Sequence, residues 1–367
     1  MLADRRFAPY PGKYPPTSGY LLSSRAFSFV ILSEAKDLHT QILKTMKTKF
    51  PLLLAAIFTS LIALAQPNSK LRPDETVLLY ADSFEGNIDP VYGEKITYAG
   101  FTMEQDNGLT GEEKVPANGN IGNISRLARV DLYFPKKPNG QMIIVCPGGG
   151  YGIVSSYNEG LYVADWFLSK GISVCVVKYR LPHYNHTVPY ADVANAFRYC
   201  RSHSEEWGIK QIGVIGFSAG GHLAATASNL WTDTVTRPDF SILIYPVTTL
   251  TPCTTHHGTH KNLLGERNMM REKYLDRYSL EKQVNRFTPP TFLVHCSDDS
   301  IVPVENSLRY YNRLVDVGVP AEMHIWPTGG HGWGFSSEKF VGKGKDRFVY
   351  ARQEFEASLE RWLKALE

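Results

Sequence analysis

The chain is expected to fold as an α/β protein with a mostly parallel central sheet covered by helices on both faces. Three observations lead there. From Leu127 onward, β-prone and amphipathic helical segments alternate. Several β-prone segments are unbroken Ile/Val-rich runs, the pattern of strands covered on both sides. One strand also runs through Gly216-Phe217-Ser218-Ala219-Gly220 directly into a helix.

Taken in order, the strands are expected at Arg129 to Phe134, Met142 to Cys146, Ser173 to Val177, Ile212 to Ile215, Phe240 to Tyr245, Thr291 to His295 and Glu322 to Trp326. Between and after them, apolar residues at helical spacing predict helices at Leu161 to Ser169, Tyr190 to Ser204, Gly221 to Asn229, Val304 to Val317 and Ala351 to Leu366. The stretch 251–289 interrupts the rhythm, with short helices expected near Met269 to Leu275 and Leu280 to Val284. Above the carboxyl ends of the strands it would form a cleft wall. Residues 127–367 are read as one catalytic domain, and 66–126 as an N-terminal extension packing on it.

Ahead of these, Lys47 and Lys49 precede an apolar run from Phe50 to Leu64 that ends in Ala63-Leu64-Ala65. That is a signal-peptide pattern over 46–65, and its roughly 15 apolar residues are short for a bilayer span. A secreted or periplasmic protein is expected, with no stable membrane insertion once the signal is removed. Residues 1–45 are read as an upstream extension, with translation starting at Met46.

Hydrophobic residues at 43% and charged residues at 20% fit a globular chain and exclude disorder or a multi-span membrane protein. The formal charge of +3 sits at the N-terminus, where 1–65 hold eight Lys/Arg and three Asp/Glu, leaving 31 basic and 33 acidic residues beyond. With no basic stripe or zinc-finger spacing, nucleic acid is not an expected partner. Cys146, Cys175, Cys200, Cys253 and Cys296 form no disulfide-like spacing and read mostly as small core residues.

The strand-to-helix Gly-x-Ser-x-Gly turn is too tight for Cβ atoms at its flanking positions, and it lifts the serine Oγ above the sheet. Ser218 is therefore the candidate nucleophile. A serine anion acting on a carbonyl needs donors for the developing oxyanion. Ala219 N–H, at the start of a helix, is one candidate, and Gly149 and Gly150 in Pro147-Gly148-Gly149-Gly150-Tyr151 are the others. The triple glycine lacks the following Gly-Lys-Ser/Thr of a phosphate-binding loop.

Serine also needs a base and an acid to orient it. In the chain order serine, acid, histidine, Asp299 follows the strand ending at His295, and His331 follows the strand ending at Trp326. Asp298 is a second carboxylate in the same loop, and residue order alone does not separate the two. His295 reads as a packed or locally bonded residue. His256, His257 and His260 share one loop without an interleaved carboxylate, so neither a metal nor a cofactor is expected. Arg180 is read as pairing a carboxylate beneath the site, and Asp192 as a helix-first-turn carboxylate outside the triad.

With these residues in hand, the chain resembles the acetylxylan esterase-like branch of the α/β-hydrolases. The resemblance rests on PGGGY at 147–151, YRLP at 179–182, GFSAGGHLA at 216–224, THHGTHKNLLG at 255–265, TPPTFLVHCSDDSIVPVENS at 288–307 and AEMHIWPTGGHGWG at 321–334. It implies an α/β-hydrolase fold, Ser218, Asp299 and His331 as triad, and an acetylated carbohydrate as substrate. His260 stands where an Arg is expected, which bears on substrate identity rather than mechanism. Tyr151 and Trp333 are candidate sugar-contacting aromatics, with loop packing as the alternative. A broad short-chain carboxylesterase, an exopeptidase and a scaffold protein are the competing readings. Oligomeric state is left open.

Overall fold

Residues 70–80, 89–93 and 96–367 are described in a computed structural model. The upstream extension 1–45 and the signal segment 46–65 lie outside the described residues.

Among the described residues of the unit Ala65–Glu367, nine strands make one sheet. They are β1 (Glu75–Leu78), β2 (Ile96–Tyr98), β4 (Arg129–Tyr133), β5 (Gln141–Cys146), β7 (Ser173–Lys178), β8 (Gln211–Phe217), β9 (Ser241–Ile244), β10 (Thr291–Cys296) and β11 (Ala321–Trp326). Their spatial order is β11-β10-β9-β8-β5-β7-β4-β1-β2. The run from β11 to β7 is parallel throughout, whereas β4 is antiparallel to both β7 and β1. This is the α/β-hydrolase architecture.

Strands β4, β5, β7, β9 and β10 are buried along their whole length, and β5, β7, β9 and β10 accordingly read as largely apolar runs, whereas β4 alternates and its Arg129 and Asp131 are buried in ion pairs. Successive residues still point to opposite faces. Met142, Ile144 and Cys146 of β5 join one core layer with α2 (Val188–Ser202), α3 (Ser218–Asn229) and α6 (Glu305–Asp316). Ile143 and Val145 join the other, with α1 (Tyr162–Ser169) and α8 (Val349–Lys364). Each such side chain contributes about 1.5–3 kcal/mol on burial, so the two-sided sheet anchors every loop it carries.

The sheet extends into the segment before Leu127. β1 pairs with β4, and a small ribbon joins β3 (Asn120–Ile121) to β6 (Val154–Ser155), just beyond the glycine loop. Buried Arg129 fastens this segment, with Nε 2.7 Å from Asp89 Oδ2 and Nη2 2.7 Å from Glu113 Oε1. Strands β1, β3 and β6 are two to four residues long, too short for a periodic pattern, which is why they were not assigned one by one from the sequence.

In 251–289 the chain forms α4 (His257–Asn268), α5 (Glu272–Tyr278) and a 3₁₀ turn at Leu280–Lys282. The helix expected at Met269 to Leu275 is displaced, because a non-helical Gly265 (φ +70°) and the turn after it separate two helices. The five cysteines are free thiols, buried except for Cys253. Among the described residues no helix is long and apolar enough to cross a membrane.

Candidate active site

In this sheet β5 lies between β7 and β8, so the chain leaves β5 and β8 toward opposite sides and opens a crevice at their carboxyl ends. Ser218 sits there. β8 ends at Phe217 and α3 begins at Ser218, whose φ of +52° is left-handed and costly for a residue with a Cβ. The turn closes only because its neighbours are glycines. A Cβ on Gly216 would fall 2.1 Å from Gly220 O, and one on Gly220 would fall 2.1 Å from Cys146 O. The helix expected from Gly221 starts three residues earlier because the serine itself forms its first turn.

His331 and Asp299 reach Ser218 from the loops after β11 and β10. His331 Nε2 lies 2.9 Å from Ser218 Oγ, and His331 Nδ1 lies 2.7 Å from Asp299 Oδ2. Asp299 Oδ1 also accepts the N–H groups of Ile301 and Val302, both at 2.9 Å. Burial alone would raise the Asp299 pKa, but hydrogen bonds from His295 and His331 outweigh it and hold the carboxyl well below the usual range. Asp299 is thereby an anion that favours the Nδ1–H tautomer of His331, leaving Nε2 free to accept the serine proton.

The neighbouring carboxylate does something different. Asp298 accepts the backbone N–H of Gly330 at 2.8 Å and of Gly329 at 3.2 Å, tying down the loop that carries His331. His295 is buried, with Nδ1 2.8 Å from Ser307 Oγ and Nε2 2.9 Å from Val302 O. Its Nε2 also lies 3.3 Å from Asp299 Oδ2, so it braces the acid while His331 alone meets the serine.

The glycine loop follows β5 directly. Gly149 and Gly150 have φ of +125° and +62°, and a Cβ on Gly149 would fall 2.4 Å from Ile153 O. Among the described residues, the N–H groups of Gly149, Gly150 and Ala219 donate to no protein acceptor. Gly148 N–H is different, because it donates to Glu159 Oε2 at 2.7 Å. Asn262 of α4 donates to Gly150 O at 2.8 Å and so fixes the next peptide.

The two candidate sugar-contacting aromatics do not form an open platform. Tyr151 is 2% exposed, and its hydroxyl is 3.0 Å from Nδ1 of the buried His222. Trp333 is also 2% exposed and stacks on Phe348 with ring centroids 4.0 Å apart. Both pack their loops, because each side chain turns from its loop into the core. Burial pushes His222 down to about 4, consistent with a neutral ring accepting from Tyr151 and donating to Tyr278 O at 2.9 Å.

The remaining expectations fall away from the chemistry. Arg180 forms a buried pair with Asp192, Nη2 to Oδ1 at 2.6 Å. Asp192 also accepts from Tyr80 at 2.7 Å, and it lies beyond the first turn of α2, so an ion pair holds it rather than a helix end. The three histidines near 256 diverge. His256 caps α4, with Nδ1 2.8 Å from Thr259 Oγ1, while His257 is exposed and His260 buried. Among the described residues no group of three His, Cys, Asp or Glu could hold a metal.

Two site residues escaped the sequence reading. Glu159 lies in a π-helical turn at Tyr157–Leu161, and Tyr245 follows β9 with φ of +38°. The Tyr245 hydroxyl donates to Glu159 Oε1 at 2.8 Å and accepts from Gly334 N–H at 2.9 Å. The available signal was a lone carboxylate in the largely apolar run Tyr157 to Ala164, which also suits an ordinary helix start.

The BD-FAE family model matches residues 130–314. The chain is 37% identical over 214 residues to the acetylxylan esterase of Xylanibacter ruminicola, a match covering 57% of this chain and 44% of that one. The chain thus spans less than half the length of that relative. Among solved structures it is similar to an acetyl ester-xyloside bifunctional hydrolase from Caldicellulosiruptor lactoaceticus. That match has 36% identity, covers 65% of this chain and 88% of that chain, and has a TM-score of 0.57. A sugar hydrolase from Lactococcus lactis is 31% identical, with 65% and 96% covered and a TM-score of 0.53.

Proposed function

This chain belongs to the BD-FAE family of α/β-hydrolases, and from that premise we propose that it is a serine carboxylesterase acting on short-chain esters through a Ser218 acyl-enzyme. The observation that carries the reading is the unbroken relay from Ser218 Oγ through His331 to Asp299, at 2.9 and 2.7 Å. His331 Nε2 takes the serine proton as Oγ adds to the ester carbonyl. The Gly149, Gly150 and Ala219 N–H groups receive the oxyanion. The imidazolium, balanced by Asp299, then gives its proton to the departing alcohol, and water activated by the same histidine releases the acid.

A preference for short acyl groups is supported by what surrounds the serine. Asn262 and His256 stand against the glycine loop, and Tyr245 and Trp333 are packed, so no uninterrupted apolar wall flanks the site. The segment above it also carries His257, Lys261, Glu266, Arg267 and Arg271. A second reading, release of acetate from acetylated carbohydrate, is favoured by the names of the acetylxylan esterase and acetyl ester-xyloside hydrolase relatives. A cavity of about 360 Å³ beside the glycine loop has mixed walls, with Leu109, Ile153 and Leu181 facing Lys114, Asn123 and Asn262, which suits a polyhydroxylated alcohol. Secretion, read from 46–65, belongs to the same proposal.

Turnover of an activated acetate ester tests the mechanism. Ser218→Ala should fold normally and lose activity by about 10⁴-fold or more, the scale of losing a serine nucleophile. Retention of more than about a tenth of wild-type turnover rejects it. Comparing kcat/KM across acetyl, butyryl and octanoyl esters, then acetate release from acetylated xylo-oligosaccharides, separates the two substrate readings.

A further inference from the structure

Among the described residues the buried carboxyl of Glu159 hydrogen-bonds to neither Ser218 nor His331, yet it sits where both halves of the site meet. Its Oε2 accepts the Gly148 N–H at 2.7 Å, one residue before the first proposed oxyanion donor. Its Oε1 accepts the Tyr245 hydroxyl at 2.8 Å, and Tyr245 in turn holds the Gly334 N–H, three residues past His331. The Tyr245 ring lies with its centroid 4.8 Å from that of His331. The glycine loop and the histidine loop are therefore joined through one side chain that is 4% exposed.

The donor pattern suits an anion. Gly148 N–H can only donate, and it meets Oε2, while the Tyr245 hydroxyl, which accepts from Gly334, can give its own proton to Oε1. We infer that Glu159 is a positioning residue for acyl transfer, an ionised carboxylate that aligns the Gly149 and Gly150 N–H groups and supports the His331 imidazolium by way of Tyr245. The inference rests on the Ser218–His331 reading above. Burial pushes the Glu159 carboxyl above its usual range, and the Tyr245 hydrogen bond, the nearby His331 charge and the Gly148 N–H pull it back. The other groups facing His331 are Asp299, Ser218, His256 and Tyr245 at the ring, and Arg347 at its carbonyl oxygen.

Glu159→Gln keeps the shape and removes the charge. With an activated acetate ester, kcat should fall about 10- to 100-fold with KM within about twofold, a loss confined to the transition state. The acidic limb of kcat/KM should move to lower pH by about half a unit or more, because the imidazolium loses a stabilising anion. Tyr245→Phe keeps the carboxyl but cuts its link to Gly334 and removes a donor that holds its charge. It should lower kcat about tenfold. A folded Glu159→Gln enzyme with an unchanged limb overturns the inference, whatever its kcat. If that variant does not fold, Tyr245→Phe decides, and wild-type kcat there overturns it equally. Ser218→Ala measured alongside separates the failures: an active Ser218→Ala rejects the underlying mechanism, whereas a dead one with unaltered Glu159→Gln rejects this inference alone.

Discussion

The loop after β10 and the π-helical turn at Tyr157–Leu161 each deliver one buried carboxylate to the site, and they tune it in opposite directions. Asp299 is 6% exposed and Glu159 4%, so burial pushes both pKa values up. Asp299 collects two backbone N–H groups and two imidazoles, and ends well below the usual carboxylate range. Glu159 collects one N–H and one neutral hydroxyl, and ends above it. The number and kind of donors, together with the deeper burial of Glu159, decides how firmly each anion is held. Asp299 can therefore balance a full imidazolium at contact, while Glu159 acts at one remove through peptides and a phenol.

The largest expected effect separates Asp299 from its own neighbour as well as from Glu159. Asp299→Asn should lower kcat by about 10³- to 10⁴-fold, since a neutral amide no longer selects the working tautomer of His331. Asp298→Asn should cost only about tenfold, because an amide oxygen can still accept one of the two glycine N–H groups it holds. Measured on one acetyl ester, a larger loss at Asp298 would reverse the two roles.

A smaller effect sharpens the contrast in stability. The folded pKa of Asp299 lies below its unfolded value of about 3.9, so its stabilisation is complete above that pH and is lost as pH falls through the folded pKa. Glu159 has the reverse sign. Its folded pKa exceeds the unfolded value of about 4.3, so its contribution is most favourable below that pH and becomes a cost as pH rises through the folded pKa. Thermal melts from roughly pH 3 to 8 should show the deficit of Asp299→Asn flat above about pH 4 and shrinking below it, and that of Glu159→Gln shrinking as pH rises through the folded pKa of Glu159. Parallel curves would contradict the comparison.

The sequence carried these two carboxylates unequally for a physical reason. Asp299 lies on a loop at the end of a long buried strand, in the order that a serine elbow and a following histidine demand, so topology and chemistry converge on it. Most strands from β5 to β10 were legible because both faces are buried and the runs are apolar. Glu159 sits in a π-helical turn whose hydrogen-bond partners, Gly148 and Tyr245, lie 11 and 86 residues away. No local pattern encodes such a meeting. β1 and β2 were not assigned because strands of four and three residues show no period. α4 was missed because its cap is a histidine, His256, and its sequence carries Gly258 and Gly265. Tyr151 and Trp333 sit beside the site in sequence, but side-chain direction, which sequence proximity does not give, sends both inward.

The most direct test of the account is to trap the intermediate. Brief exposure to an activated acetate ester, an acid quench and peptide mass spectrometry should find one acetyl group per chain, on Ser218. Asp299→Asn should accumulate it more slowly, and Ser218→Ala not at all. Acetyl on another residue in step with turnover, or full turnover with Ser218 unmodified and dispensable, would contradict it.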